Sequence, residues 1–159
     1  MIVVADAGPI ISFARAGHDT LLRQVLTQLV IPEAVYTEMM AKGVEAPGAA
    51  LVQEGIWIRL ATVRDRVQVD RLPVNLGSGE REALVLAQER GATLLVDDLA
   101  VRKEAAKRSI PYFGSLRVLQ RAKQKGLIDS AGPVVTDLRR AGLRLGDRLH
   151  QTFLREMGE

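Results

Sequence analysis

Two short apolar runs in this sequence each end in aspartate, and this pattern constrains the fold more than any other feature. Residues 2–5 precede Asp6, and residues 94–96 precede Asp97 and Asp98. Short aliphatic runs that alternate with segments of helical periodicity predict buried strands in a parallel sheet with helices on both faces. We therefore predict an α/β fold, a three-layer α/β/α sandwich with a central parallel sheet of four to five strands. At this length the chain fits a single domain, residues 1–159.

The same periodicity predicts the elements along the chain. Strands are predicted at 2–6, 56–60 and 93–96, with a short extended piece at 111–113. Helices are predicted at 10–29 (continuous or broken near Gly17), 32–40, 80–90, 100–108, 115–125, 133–141 and 147–157. Residues 49–54 add a helical turn or two, and residues 64–76 are ambiguous.

Composition excludes several classes of protein. The chain has no cysteine, which removes disulfides, thiolate metal sites and cysteine nucleophiles. No apolar stretch approaches the roughly 20 residues of a membrane helix, and no basic residue precedes the first apolar run as in a signal peptide. A cytoplasmic location with no membrane association is the resulting expectation.

Several acidic side chains occupy positions that suit a metal site. In an open α/β sheet, the carboxyl ends of the strands form the crevice where ligands bind. Asp6, Asp97 and Asp98 follow strands there, and carboxylates gathered in one place repel one another unless protonated or bridged by a cation. Asp6 is equally explained as a helix cap ahead of Gly8, and Asp97-Asp98 as a double cap, so periodicity leaves open which of the pair binds metal.

Three glutamates are weighed by helical face. Glu38 shares the apolar side of its predicted helix, although it could also be a surface residue whose stem packs. Glu80 and Glu82 both open the next clear helix, where acids are favoured by the helix dipole. Glu80 points with the residues that face the sheet and is the better ligand. Glu82 lies at the edge of that face and is expected to be solvated or to support the site from outside.

A basic stretch follows the second acidic strand end. Residues 102–125 contain eight basic residues and one acid, so this stretch carries +7 and the remainder of the chain −4. A basic flank beside an acidic pocket suits a polyanion whose phosphates are bound by Lys and Arg. Arg102, Lys103, Lys107 and Arg108 are the predicted nucleic-acid-binding residues, with Arg102 first among them. The alternative is two amphipathic helices with solvated outer faces.

Six segments in order carry a family resemblance. They are residues 4–11, 31–38, 79–83, 94–98, 114–127 and 145–147. Their order and spacing resemble the PIN domain, the nuclease fold of VapC-type toxins, and are most similar to a bacterial and archaeal PIN-like branch. By this resemblance the family's acidic quartet falls on Asp6, Glu38, Glu80 and Asp98, with Asp97 assisting. Many PIN nucleases follow the first aspartate with Thr or Ser, whereas Ala7-Gly8 stands here.

The resemblance implies a function. It implies an endoribonuclease that uses Mg²⁺ or Mn²⁺ at the carboxylates and acts on single-stranded or looped RNA. It also implies a homodimer and, as the toxin of a type II toxin–antitoxin pair, an antitoxin protein as partner. The alternative is a non-catalytic nucleic-acid-binding or assembly module on the same fold.

Overall fold

A five-stranded parallel sheet forms the centre of the molecule. The computed structural model describes all residues from Met1 to Glu159. The sheet order is β3-β2-β1-β4-β5, and every neighbouring pair is parallel. The strands are β1 (Val3–Ala5), β2 (Leu29–Pro32), β3 (Ile58–Ala61), β4 (Thr93–Leu95) and β5 (Tyr112–Phe113).

Ten helices surround the sheet. They are α1 (Ala7–Arg15), α2 (Asp19–Val25), α3 (Glu33–Ala41), α4 (Ala49–Glu54), α5 (Arg66–Arg71), α6 (Ser78–Arg90), α7 (Leu99–Lys107), α8 (Ser115–Gln124), α9 (Gly132–Arg140) and α10 (Asp147–Glu156). None of them is both long and apolar enough to cross a lipid bilayer.

Two apolar cores lie on opposite faces of the sheet. Successive strand residues point to opposite faces, so Val3 and Ala5 enter one core while Val4 enters the other. The first core is closed mainly by α1, α2 and α8 to α10, and the second by α5, α6 and α7. This arrangement confirms the predicted three-layer α/β/α sandwich.

The second strand is the main difference from the predicted elements. The predicted helix at 10–29 is in fact two helices, α1 and α2, followed by β2 in the interior of the sheet. Leu29, Val30 and Ile31 continue an apolar pattern that began in α2, so the sequence gives no clear boundary between them. A tertiary contact marks the boundary between α2 and β2. The indole Nε1 of Trp57 donates to the carbonyl of Leu26, the residue after α2, at 2.6 Å.

The parallel arrangement places one end of every strand on the same edge. Helices α1, α3, α7 and α8 begin within a few residues of the strands β1, β2, β4 and β5 that precede them. Their N-termini therefore gather at the carboxyl edge of the sheet, where ligands bind in open α/β folds. The unassigned residues 64–76 contain α5, which is capped by Asp65 through a 3.2 Å hydrogen bond from the Gln68 N–H.

Candidate active site at the carboxyl edge

A cleft of about 500 Å³ opens at this edge, and all five predicted metal ligands line it. They come from four separate places in the chain: the end of β1, the middle of α3, the start of α6 and the end of β4. The acidic residues of the cleft are Asp6, Glu38, Glu80, Asp97 and Asp98. The structure thus brings together side chains that are 92 positions apart at the extremes of this set.

Asp6 is the most deeply buried of these acids, with 8% of its surface exposed. Its carboxylate makes no capping hydrogen bond to α1, so capping does not explain this residue. The pKa of Asp6 is raised to about 7 from an ordinary value of 3.8. Burial is the largest cause, the Ala7 N–H opposes the shift, and the carboxylates of Glu80, Glu38 and Asp98 contribute to the rise. Asp6 therefore carries the electrostatic signature of convergent acids.

Glu38 reaches the cleft because α3 and α6 approach each other at a glycine. A Cβ at Gly79 would lie 3.1 Å from Oε2 of Glu38 and 3.1 Å from a methyl group of Val35. Both distances are tighter than ordinary van der Waals contact, so a side chain there would push the two helices apart. Lys42, four residues after Glu38 on the same helical face, is the one basic side chain that lines the cleft.

Glu80 bends back over the start of its own helix. Its Oε2 accepts a 3.0 Å hydrogen bond from the Gly77 N–H, which leaves Oε1 free of this contact. Burial raises the pKa of Glu80, the Gly77 N–H opposes the shift, and the charges of Asp98 and Glu38 add to it. Glu80 thus shares the field of the other acids, as the helical-face argument predicted.

Asp98 and Asp97 have different partners. Asp98 caps α7, because its Oδ1 accepts from the Ala100 and Val101 N–H groups at 2.9 and 3.1 Å, and Oδ2 is left free of these contacts. Asp97 is bound at both oxygens by Ser115, through its N–H at 2.8 Å and its hydroxyl at 2.6 Å. Asp97 therefore ties the end of β4 to the start of α8, and Asp98 has the freer oxygen.

The wall behind Asp97 has no room for a side chain. A Cβ at Gly114 would lie 2.6 Å from Oδ1 of Asp97 and would overlap a guanidinium nitrogen of Arg102. The φ angle of Gly114 is −121°, so the requirement for glycine here is steric and not conformational. Gly114 allows Asp97 and Arg102 to meet against the backbone.

The cleft offers only carboxylate oxygens as charged ligands, and hard divalent cations such as Mg²⁺ prefer oxygen ligands. The positions of the side chains are not those of a finished site: no three His, Asp or Glu side chains are arranged to surround a single ion. Glu80 and Asp98 each direct one oxygen to a helix N-terminus, which draws these oxygens away from a common centre.

Glu82 was predicted to be solvated or to support the site from outside, and its burial excludes the first of these alternatives. It is buried, with 7% of its surface exposed. Its Oε1 accepts from the Ala34 N–H at 3.0 Å, and its Oε2 accepts from Arg66 at 2.7 Å. The residue before α3 is Pro32, which has no side-chain acceptor, so Glu82 of α6 caps α3 from a neighbouring helix. Both partners of Glu82 lie on other helices, so the periodicity of α6 alone could not identify them.

The predicted nucleic-acid-binding residues have different surroundings. Lys107 and Arg108 approach Glu104 on their own helix at 3.6 and 3.7 Å, and Lys103 is exposed. Only Arg102 adjoins the candidate site: its Nε donates to the Val96 carbonyl at 3.0 Å, and its guanidinium lies 5.5 Å from the Tyr112 ring centre. Lys42 is not among the predicted residues, although its spacing of four from Glu38 is a usable signal.

Comparisons with known proteins agree with this fold. A PilT N-terminus domain protein from the hyperthermophilic archaeon Sulfolobus solfataricus P2 matches with a TM-score of 0.55 and 17% identity, covering 76% of this chain and 92% of that one. The chain therefore shares the fold of that protein. A family model described as a PIN domain, DUF3368, matches residues 2–159, and the chain belongs to this family. No curated protein matches the chain.

Proposed function

We propose that the protein is a metal-dependent endoribonuclease whose active site is the carboxylate cleft. One observation carries the proposal: acids from four separate segments line one cleft, and two of them, Asp6 and Glu80, have pKa values raised in part by the others. Clustered carboxylates with perturbed pKa values are typical of functional sites. Membership of the PIN domain family supports a nuclease-type chemistry.

Asp6, Glu38, Glu80 and Asp98 are the proposed ligands of Mg²⁺ or Mn²⁺. When bound, such an ion supplies the positive charge that activates water and neutralises a scissile phosphate. Asp97 supports the site indirectly, because its bonds to Ser115 fix the backbone next to Asp98.

The remaining polar groups of the cleft bind and orient the substrate in this proposal. Lys42 and, at the rim, Arg102 are placed to hold the flanking phosphates of an RNA strand. The Ala7-Gly8 pair provides no hydroxyl next to Asp6, and Ser78 is the hydroxyl that the cleft does contain. By family resemblance, RNA cleavage would serve a toxin that pairs with an antitoxin protein and acts as a homodimer.

A non-catalytic nucleic-acid-binding module is the second candidate. The absence of a preformed three-ligand cluster and of a hydroxyl after Asp6 favours it. The two functions differ in metal binding. Calorimetric titration with Mn²⁺ should give a saturating isotherm for a nuclease site and no heat of binding for a non-catalytic module.

Asp98→Asn is the sharpest test of the nuclease proposal. Asparagine keeps the helix-capping acceptor, so the melting temperature should stay within a few degrees of wild type. Loss of one charge from the proposed site should lower Mn²⁺-dependent RNA cleavage at least about 100-fold. Asp65→Asn is the matched control, because Asp65 caps α5 outside the cleft and its replacement should leave cleavage unchanged. Equal cleavage by wild type and Asp98→Asn would identify a contaminating nuclease.

A further inference from the structure

A second and larger cavity adjoins the carboxylate cleft. It is a groove of about 670 Å³ beside the edge strand β5, between α8 and the segment that leads into α10. Its lining is mainly apolar and includes Leu99, Tyr112, Leu116, Leu145 and Leu149. Leu99 and Leu149 expose 73% and 57% of their surfaces, and apolar side chains exposed together in one groove are typical of an interaction site.

The charges on this groove are almost all positive. Arg102, Arg117, Arg121 and Arg144 line it, against the single acid Asp97. None of the ion pairs in the structure involves Arg117, Arg121 or Arg144. Arginines without carboxylate partners around an apolar floor are suited to an anionic ligand that also carries a flat apolar group.

The groove and the cleft share a wall. Asp97 lines both cavities, and Arg102 lies against the same wall while its guanidinium faces the Tyr112 ring. On α8, Arg117 and Arg121 are one helical turn apart and line both this groove and a polar depression that continues to Lys125. A basic path therefore leads from the cleft, through the groove and along α8.

We propose that this groove binds nucleotides of a single-stranded RNA next to the cleft, with Arg117, Arg121 and Arg144 on phosphates and the apolar floor, Arg102 and Tyr112 against bases. This inference rests on the proposed nuclease function, which places a phosphodiester in the neighbouring cleft. The volume lies in the range of small-molecule pockets, roughly 300–1,000 Å³. Unpaired bases stack on aromatic rings and guanidinium planes, and Arg102 over Tyr112 provides both. The path along α8 adds to the predicted residues of α7, of which Lys107 and Arg108 lie beside Glu104.

The double variant Arg117→Ala/Arg144→Ala tests the groove. A short fluorescent single-stranded RNA is titrated with the full chain in EDTA, so that binding is measured without cleavage. The dissociation constant should rise at least tenfold, and the slope of its salt dependence should fall by about 1.4, since each phosphate contact on a single strand contributes roughly 0.7. Arg148→Ala, an exposed arginine of α10 outside the groove, is the matched control and should change neither value. Circular dichroism melting verifies that the double variant is folded.

A second readout locates the bases. Uridine 5′-monophosphate added to the ¹⁵N-labelled wild type should shift the amide signals of Tyr112, Leu145 and Gly146. A double variant with wild-type affinity for RNA, or a wild type that binds neither RNA nor the mononucleotide at the groove, overturns the proposal; the latter result leaves the groove to a protein partner. Groove-dependent RNA binding in a wild type that cleaves nothing upholds the subsite and refutes the nuclease function alone.

Discussion

Replacing Asp6 with asparagine is expected to abolish RNA cleavage and, at the same time, to stabilise the metal-free protein above neutral pH. The pKa of this buried carboxyl is raised to about 7 from 3.8. A carboxyl with a raised pKa in the folded state contributes its full stability below pH 3.8, and this contribution is lost as the pH rises through about 7. At about 1.4 kcal/mol per pKa unit, the loss has an upper bound of about 4 kcal/mol. Asparagine carries no charge at any of these pH values and avoids this loss.

The measurement is urea denaturation of wild type and Asp6→Asn at several pH values between 4 and 8 in EDTA. The free energy of unfolding of the wild type should fall relative to that of the variant across this range. When Mn²⁺ replaces EDTA in the buffer, it should stabilise only the wild type, by about 2.7 kcal/mol at a hundred times the Mn²⁺ dissociation constant. Parallel pH profiles for the two proteins would contradict a raised pKa of Asp6 in the folded protein.

Glu82→Ala should destabilise the protein by about 2–3 kcal/mol and weaken Mn²⁺ binding about tenfold. The substitution leaves the half-buried Ala34 N–H without a protein acceptor, at a cost of roughly 1–3 kcal/mol, and removes the partner of Arg66. Because Glu38 lies one turn after Ala34, loss of this cap frees the helix that positions a proposed ligand. Urea denaturation gives the stability, and Mn²⁺ calorimetry on the folded variant gives the affinity.

Two further variants separate positioning from general stability. Glu82→Gln keeps an acceptor for the Ala34 N–H and should recover most of the metal affinity. Glu89→Ala removes an exposed carboxylate of α6 that accepts from the Arg64 and Asp65 N–H groups, away from the cleft. It should lower stability by about 1 kcal/mol and leave metal affinity intact. Equal loss of affinity in Glu82→Ala and Glu89→Ala would mean that Glu82 acts through stability alone.

The fold could be predicted from the sequence wherever one element explains its own pattern. Strand β1 before Asp6 and strand β4 before Asp97 are short apolar runs with clear ends, and parallel packing then requires that their carboxyl ends meet. Strand β2 was missed because its three apolar residues continue the pattern of α2. Its identity depends on pairing with β1 and β3, which are distant in sequence.

The same distinction applies to the candidate site. Asp6, Glu80 and Asp98 could be predicted as candidates because strand ends and helical faces are local properties. For Glu82 the sequence left solvation and support from outside as alternatives, because its partners, Ala34 and Arg66, belong to other helices. Three of the groove's arginines lie in the basic stretch 102–125, but the groove itself was not predicted, because only the fold brings Arg144 beside them.

Gly114 limits the natural variation of the residues around it. Its missing side chain allows Asp97 and Arg102 to lie together on the wall between the cleft and the groove. A larger residue at this position would require Asp97 and Arg102 to shift, so we expect relatives that carry one to differ at Asp97, Arg102 or both. Correlated substitution at these three positions across the family would show that they change together.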